Sequence, residues 1–92
     1  MFGQDSDHIW CVLQDNTHDT AYVSEVFAGE YSNFLGYQNA FFDYVHAHYD
    51  NVIGMAKCGF ERGRSEARAS RDRDEAGFRR VYKRVLETNW TY

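Results

Sequence analysis

The first apolar run, HIWCVLQ at residues 8–14, alternates on a period of two. An extended chain puts His8, Trp10 and Val12 on one side and Ile9, Cys11 and Leu13 on the other. Both sides are largely apolar, which predicts an inner strand or one covered by a helix. The following DNTHDT, residues 15–20, is rich in Asx and Thr and predicts a turn. AYVSEVF, residues 21–27, then suits a second strand antiparallel to the first, with a short helix as the rival.

Residues 31–49, YSNFLGYQNAFFDYVHAHY, change to a helical period. Phe34, Tyr37, Phe41, Tyr44, Val45 and His48 gather on one side, widened by Leu35, Phe42 and Tyr49, while Gly36, Asn39, Ala40, Asp43 and Ala47 fall opposite. A helix with so broad an aromatic face buries it against a sheet or a second chain. In VIGMAKCGF, residues 52–60, two glycines favour a bent strand over a helix, and a loop is expected from Gly59 to Arg64. Phe78, Val81, Tyr82, Val85 and Leu86 follow the spacing of an amphipathic helix. Asp72 with Glu75 resembles a capping box, so that helix is placed from about Asp72 to Glu87. TNWTY at residues 88–92 is expected to return Trp90 to the core.

These elements predict a single α+β domain over residues 1–92, with a two- or three-stranded antiparallel sheet packed against two helices. Residues 61–74 are expected to form a solvent-exposed, arginine-rich connection, either a solvated loop or an exposed helical extension. Composition agrees with a folded chain: 92 residues are 43% hydrophobic, with seven Phe, seven Tyr, two Trp and no Pro. The longest apolar runs fall far short of a membrane span. The first ten residues lack the basic start and apolar centre of a secretory signal, which suggests a cytoplasmic protein. In that compartment Cys11 and Cys58 are expected as reduced, buried thiols.

Charge adds a second layer to this picture. Residues 1–56 contain eight acidic side chains and no Lys or Arg, whereas residues 57–92 contain ten basic and six acidic ones, for a formal net charge of -4. Arg62, Arg64, Arg68, Arg71 and Arg73 crowd one segment, followed by Arg79, Arg80, Lys83 and Arg84. Arginine forks match carboxylates and phosphates in two-point geometry. These nine residues are therefore the candidate partner-binding set. Interspersed Glu61, Glu66, Asp72, Asp74 and Glu75 suit a protein surface better than a phosphate backbone.

Catalytic and metal chemistry find less support. His46 and His48 stand two residues apart on a helix, which turns their rings away from each other. Spacing couples neither cysteine to a histidine base, and GFERG at residues 59–63 lacks the phosphate-loop ending. The expectation is a non-enzymatic protein-binding module without a cofactor, an inhibitor or adaptor acting on an enzyme or nucleoprotein complex. Direct DNA or RNA binding through the arginine-rich region is the alternative. A homodimer is a further expectation, because the aromatic helix offers more surface than one small core absorbs.

Overall fold

A computed structural model describes residues 7–92. The chain is a single α+β domain whose elements are β1 (Asp7–Asp15), β2 (Thr20–Val23), β3 (Phe27–Gly29), α1 (Phe34–His48), β4 (Ala56–Glu61), α2 (Arg64–Val81) and β5 (Arg84–Glu87), with a 3-10 turn at Tyr31–Asn33 before α1. Strand β1 is central. It pairs antiparallel with β4 along one edge and with β2 and β3 along the other. Strand β5 adds to β2 in parallel. The sheet is thus five-stranded and mixed, larger than the two or three antiparallel strands expected.

Chain direction explains where the helices go. Both β2 to β4 and β4 to β5 are crossovers between parallel strands, and they travel across the sheet in opposite directions. Crossovers of one hand that travel in opposite directions must put their helices on opposite faces. Tyr37, Phe41 and Val45 of α1 accordingly pack on Ile9, Cys11 and Leu13. Ala67 and Phe78 of α2 pack on Trp10 and Val12. The two apolar sides of β1 face two separate helices.

Strands β2 and β3 are one bent strand interrupted by a bulge. Val12 lies opposite Val23, but Ile9 lies opposite Phe27, so three residues on this strand oppose two on β1. Ser24 repairs the ladder there. Its N–H donates to the Cys11 carbonyl at 2.9 Å, and its hydroxyl accepts the Cys11 N–H at 2.7 Å. The Glu25 N–H donates to the Trp90 carbonyl at 2.9 Å.

The hairpin between β1 and β2 is held by the fully buried Asp15. Its carboxylate accepts the backbone N–H groups of His18 and Ile53, each at 3.0 Å, and meets the His18 ring at 2.7 Å. Burial works against the charge, yet these donors outweigh it and hold the Asp15 carboxyl below its ordinary range. On β4, Gly59 lies opposite Trp10, and a side chain there would collide with the indole ring. This glycine makes room for Trp10.

Cys11 and Cys58 form a disulfide, which overturns the expectation of two reduced thiols. The β1–β4 register sets them directly opposite each other, with a Cα–Cα distance of 4.0 Å. A second expectation is redirected. The aromatic surplus of α1 is covered by the chain's own end: Trp90 lies 5.1 Å from Phe41 and Tyr92 lies 4.8 Å from Tyr37, measured between ring centroids. Trp90 therefore does return to the core.

Candidate interaction surface

The arginine-rich segment is helical. Helix α2 begins at Arg64, so residues 64–74 are its first turns and not a loop, and most of them remain exposed. Asp72 and Glu75 accordingly lie inside the helix and cap nothing. Gly63 is the N-cap, where an added side chain would collide with the Glu66 carboxylate. The helix ends at Val81, and Val85 and Leu86 belong to β5. The apolar spacing from Phe78 to Leu86 thus spans two elements.

The inward stripe of α2 explains the misplacement, because it includes Ala67, Arg71 and Glu75. Arg71 and Glu75 are each only 7% exposed. Arg71 Nε donates to the Ser24 carbonyl at 2.7 Å. Its Nη1 reaches Asp72 at 2.9 Å and Glu75 at 3.2 Å, and its Nη2 lies 3.6 Å from Glu87 on β5. Arg79 pairs with the other oxygen of Glu75 and lies 3.9 Å from Glu87. One guanidinium therefore takes the carbonyl of the bulge and joins α2 to the β5 edge.

Two carboxylates share this clasp and titrate apart. Burial opposes the charge on Glu75, but a hydrogen bond with Glu87 and the guanidiniums of Arg79 and Arg71 prevail and hold its carboxyl below the usual range. The same shared bond, together with repulsion from the Glu75 charge, pushes Glu87 up. A shallow pocket of about 280 Å³ opens over the clasp, lined by Asp72, Glu75, Ala76, Arg79 and Glu87. Arg71 is withdrawn from the candidate binding set, and Arg79 is committed to an internal ion pair.

The other seven basic residues, Arg62, Arg64, Arg68, Arg73, Arg80, Lys83 and Arg84, are exposed. None has an ion-pair partner among the described residues. They do not form one continuous patch. Arg73 and Arg80, seven residues apart, follow one line along the outer side of α2. Arg68 and Arg73 point roughly 140° apart at about 100° per residue. Arg62 and Arg64 mark the start of the helix, and Lys83 and Arg84 follow its end. Exposed Glu66, Asp72 and Asp74 separate these groups.

A second surface feature escaped the sequence reading. Tyr31, Leu35 and Phe60 are exposed, and the Tyr31 ring lies 4.5 Å from Phe60 and 5.4 Å from Phe34. Strand β4 and the turn before α1 are distant in sequence, so only the fold joins these rings. Exposed Arg62 follows Phe60 by two residues in the chain.

The histidines of α1 turn back on their own helix. His46 and His48 contact the Phe42 and Tyr44 carbonyls through Nδ1, each at 2.9 Å, and stack on those residues' rings. Among the described residues, no three His, Cys, Asp or Glu side chains gather as a metal site. No described helix is long and apolar enough to cross a membrane. No protein-family model, curated protein sequence or solved structure matches the chain.

Proposed function

We propose that this chain is a small protein-binding module, an inhibitor or adaptor that docks on an acidic surface of an enzyme or nucleoprotein complex. The observation that carries this reading is the division among its arginines. Arg71 and Arg79 are used internally, while Arg62, Arg64, Arg68, Arg73 and Arg80 hold exposed guanidiniums without an ion pair among the described residues. Ordering such side chains at a surface gains nothing internally, so their interaction energy is available to a partner carboxylate.

Two features favour a protein partner over a nucleic-acid backbone. Glu66, Asp72 and Asp74 interrupt the cationic positions on the same helix, which weakens attraction to a uniform line of phosphates. Exposed Tyr31 and Phe60, with exposed Arg62 two residues along the chain, have the aromatic and arginine composition of protein contact surfaces. The Cys11–Cys58 bond favours an oxidising compartment over the cytoplasm suggested by the N-terminal residues.

Affinity capture from the native host, with and without nuclease, tests the proposal. The bait is compared with its Arg68→Gln, Arg73→Gln, Arg80→Gln variant. The expected result is a protein partner that survives nuclease and falls at least about tenfold in the variant, the equivalent of one lost charge-assisted contact. Capture that disappears with nuclease moves the assignment to direct DNA or RNA binding. Capture indifferent to the three substitutions removes the arginines from the interface.

A further inference from the structure

Strand β4 is an edge of the sheet, and the hydrogen-bond pattern identifies which of its backbone groups face outward. Cys11 directs both its N–H and its carbonyl to Ser24, away from β4. The residue opposite it, Cys58, must likewise direct its own groups away from β1. By the two-residue period of a strand, Ala56, Cys58 and Phe60 present their N–H and C=O groups outward, and Lys57, Gly59 and Glu61 bond inward to β1. Among the described residues, nothing bonds to the outward groups. An unpaired edge of this kind accepts another strand.

We propose that the occupant is β4 of a second copy, paired antiparallel about a two-fold axis at Gly59. Three observations select this register. Hydrogen-bonded pairs require outward groups on both strands, and this alignment pairs Cys58 with Phe60 of the second copy. Shifting it by one residue would set outward groups against inward ones. It also brings Lys57 of each copy opposite Glu61 of the other, at the positions where opposed side chains approach most closely. Lys57 is exposed and has no ion-pair partner among the described residues, and the Glu61 carboxylate accepts only the Ser70 hydroxyl at 2.9 Å. Finally, Phe60, 42% exposed, would lie over the partly buried Cys58 of the second copy. Gly59 at the axis offers no side chain to obstruct the approach.

This register makes an unusual demand on charge variants. Lys57→Glu alone sets two carboxylate pairs across the axis, and Glu61→Lys alone sets two ammonium pairs. A one-to-one mixture of the two variants restores an attractive pair on both sides. Sedimentation equilibrium of the full, oxidised chain is therefore expected to show a wild-type dimer and about tenfold weaker association for each variant alone. The mixture should form a heterodimer near wild-type strength. Circular dichroism of each variant checks that the fold persists, since Glu61→Lys also removes the Ser70 contact.

A wild-type chain that stays monomeric at about 100 μM, well above the concentrations typical of specific pairing, overturns the proposal. Dimers equally strong in both variants overturn it as well, because they would place the interface elsewhere. Mutual rescue in the mixture supports this register specifically. Binding of a foreign strand at β4 by a monomeric chain assigns the edge to another occupant and overturns self-pairing.

Discussion

The two faces of the sheet are covered by helices of similar length and held by different physics. On the α1 side, Tyr37, Phe41 and Val45 meet Ile9, Cys11 and Leu13, and Trp90 closes over the aromatic surplus. On the α2 side the apolar cluster is thinner, built from Trp10, Val12, Val23, Val26 and Ala67. There, Arg71, Glu75, Arg79 and Glu87 supply what side-chain volume does not. Apolar packing needs only shape and area. An ionic clasp contributes only while every member is present, because each charge was desolvated to make it. The first face should therefore tolerate graded change, and the second should respond sharply to the loss of single members.

The largest effect is expected from the covalent tie on the α1 side. Cys11 and Cys58 are separated by 47 residues, and chain entropy for a loop of that length amounts to about 4 kcal/mol. A chain of this size has only about 5–15 kcal/mol of stability in total. The Cys11→Ala, Cys58→Ala variant should therefore lose a large part of its guanidinium midpoint with little change in far-UV circular dichroism. A loss below about 1 kcal/mol would show that α1 and the aromatic tail hold β4 to β1 without the bond, sharpening the contrast between the faces.

Next comes the clasp. Arg71→Ala leaves Glu75 buried beside an empty position and frees the Ser24 carbonyl, a loss of about 3 kcal/mol. Replacing the pair by Arg71→Met with Glu75→Leu should return to within about 1–2 kcal/mol of wild type, since matched apolar groups remove the desolvation cost. The two carboxylates also give the clasp a pH signature. Glu87, pushed up, takes a proton first as pH falls from neutral, which relieves its repulsion with Glu75 and raises stability. Glu75, held down, contributes above the ordinary glutamate range, and that contribution is lost as pH falls through its lowered value. Urea unfolding across pH should show a shallow rise and then a fall; in the double apolar variant the rise should vanish and the fall should shrink to what Asp15 contributes. A stability loss for Arg71→Ala no larger than for an exposed arginine would abolish the distinction between faces.

The same contrast decides what could be read from the amino acids. Strand β1 was legible because both its sides are apolar, and α1 because its inward positions are aromatic. Helix α2 was not, because a hydrophobic pattern cannot register Arg71 and Glu75 as inward positions. Their charges read as solvent-facing until the bulge at Ser24 supplies a reason for burial. Val81, 71% exposed, and Val85, in a strand, supplied a helical spacing by coincidence. The cystine was hidden for a related reason. Its geometry depends on the β1–β4 register, and no local feature of either strand announces that pairing. Of the nine basic residues proposed as a contact region, eight remain exposed, and seven of those have no ion pair among the described residues.

The smallest expected effect separates arginines that hold the fold from those left for a partner. Arg73 lies two residues after Arg71, but it points outward and has no ion pair among the described residues. Arg80 lies one residue after Arg79 and is likewise free of the clasp. Substituting both with Gln removes no internal contact and keeps a good helix former at each position. Stability should therefore change by less than about 0.5 kcal/mol, against about 3 kcal/mol for Arg71→Ala on the same helix. Chemical denaturation of the three variants in one buffer makes the comparison directly. A loss above about 1 kcal/mol for the outer pair would mean that these guanidiniums also brace the fold, which would take them out of the surface available for binding.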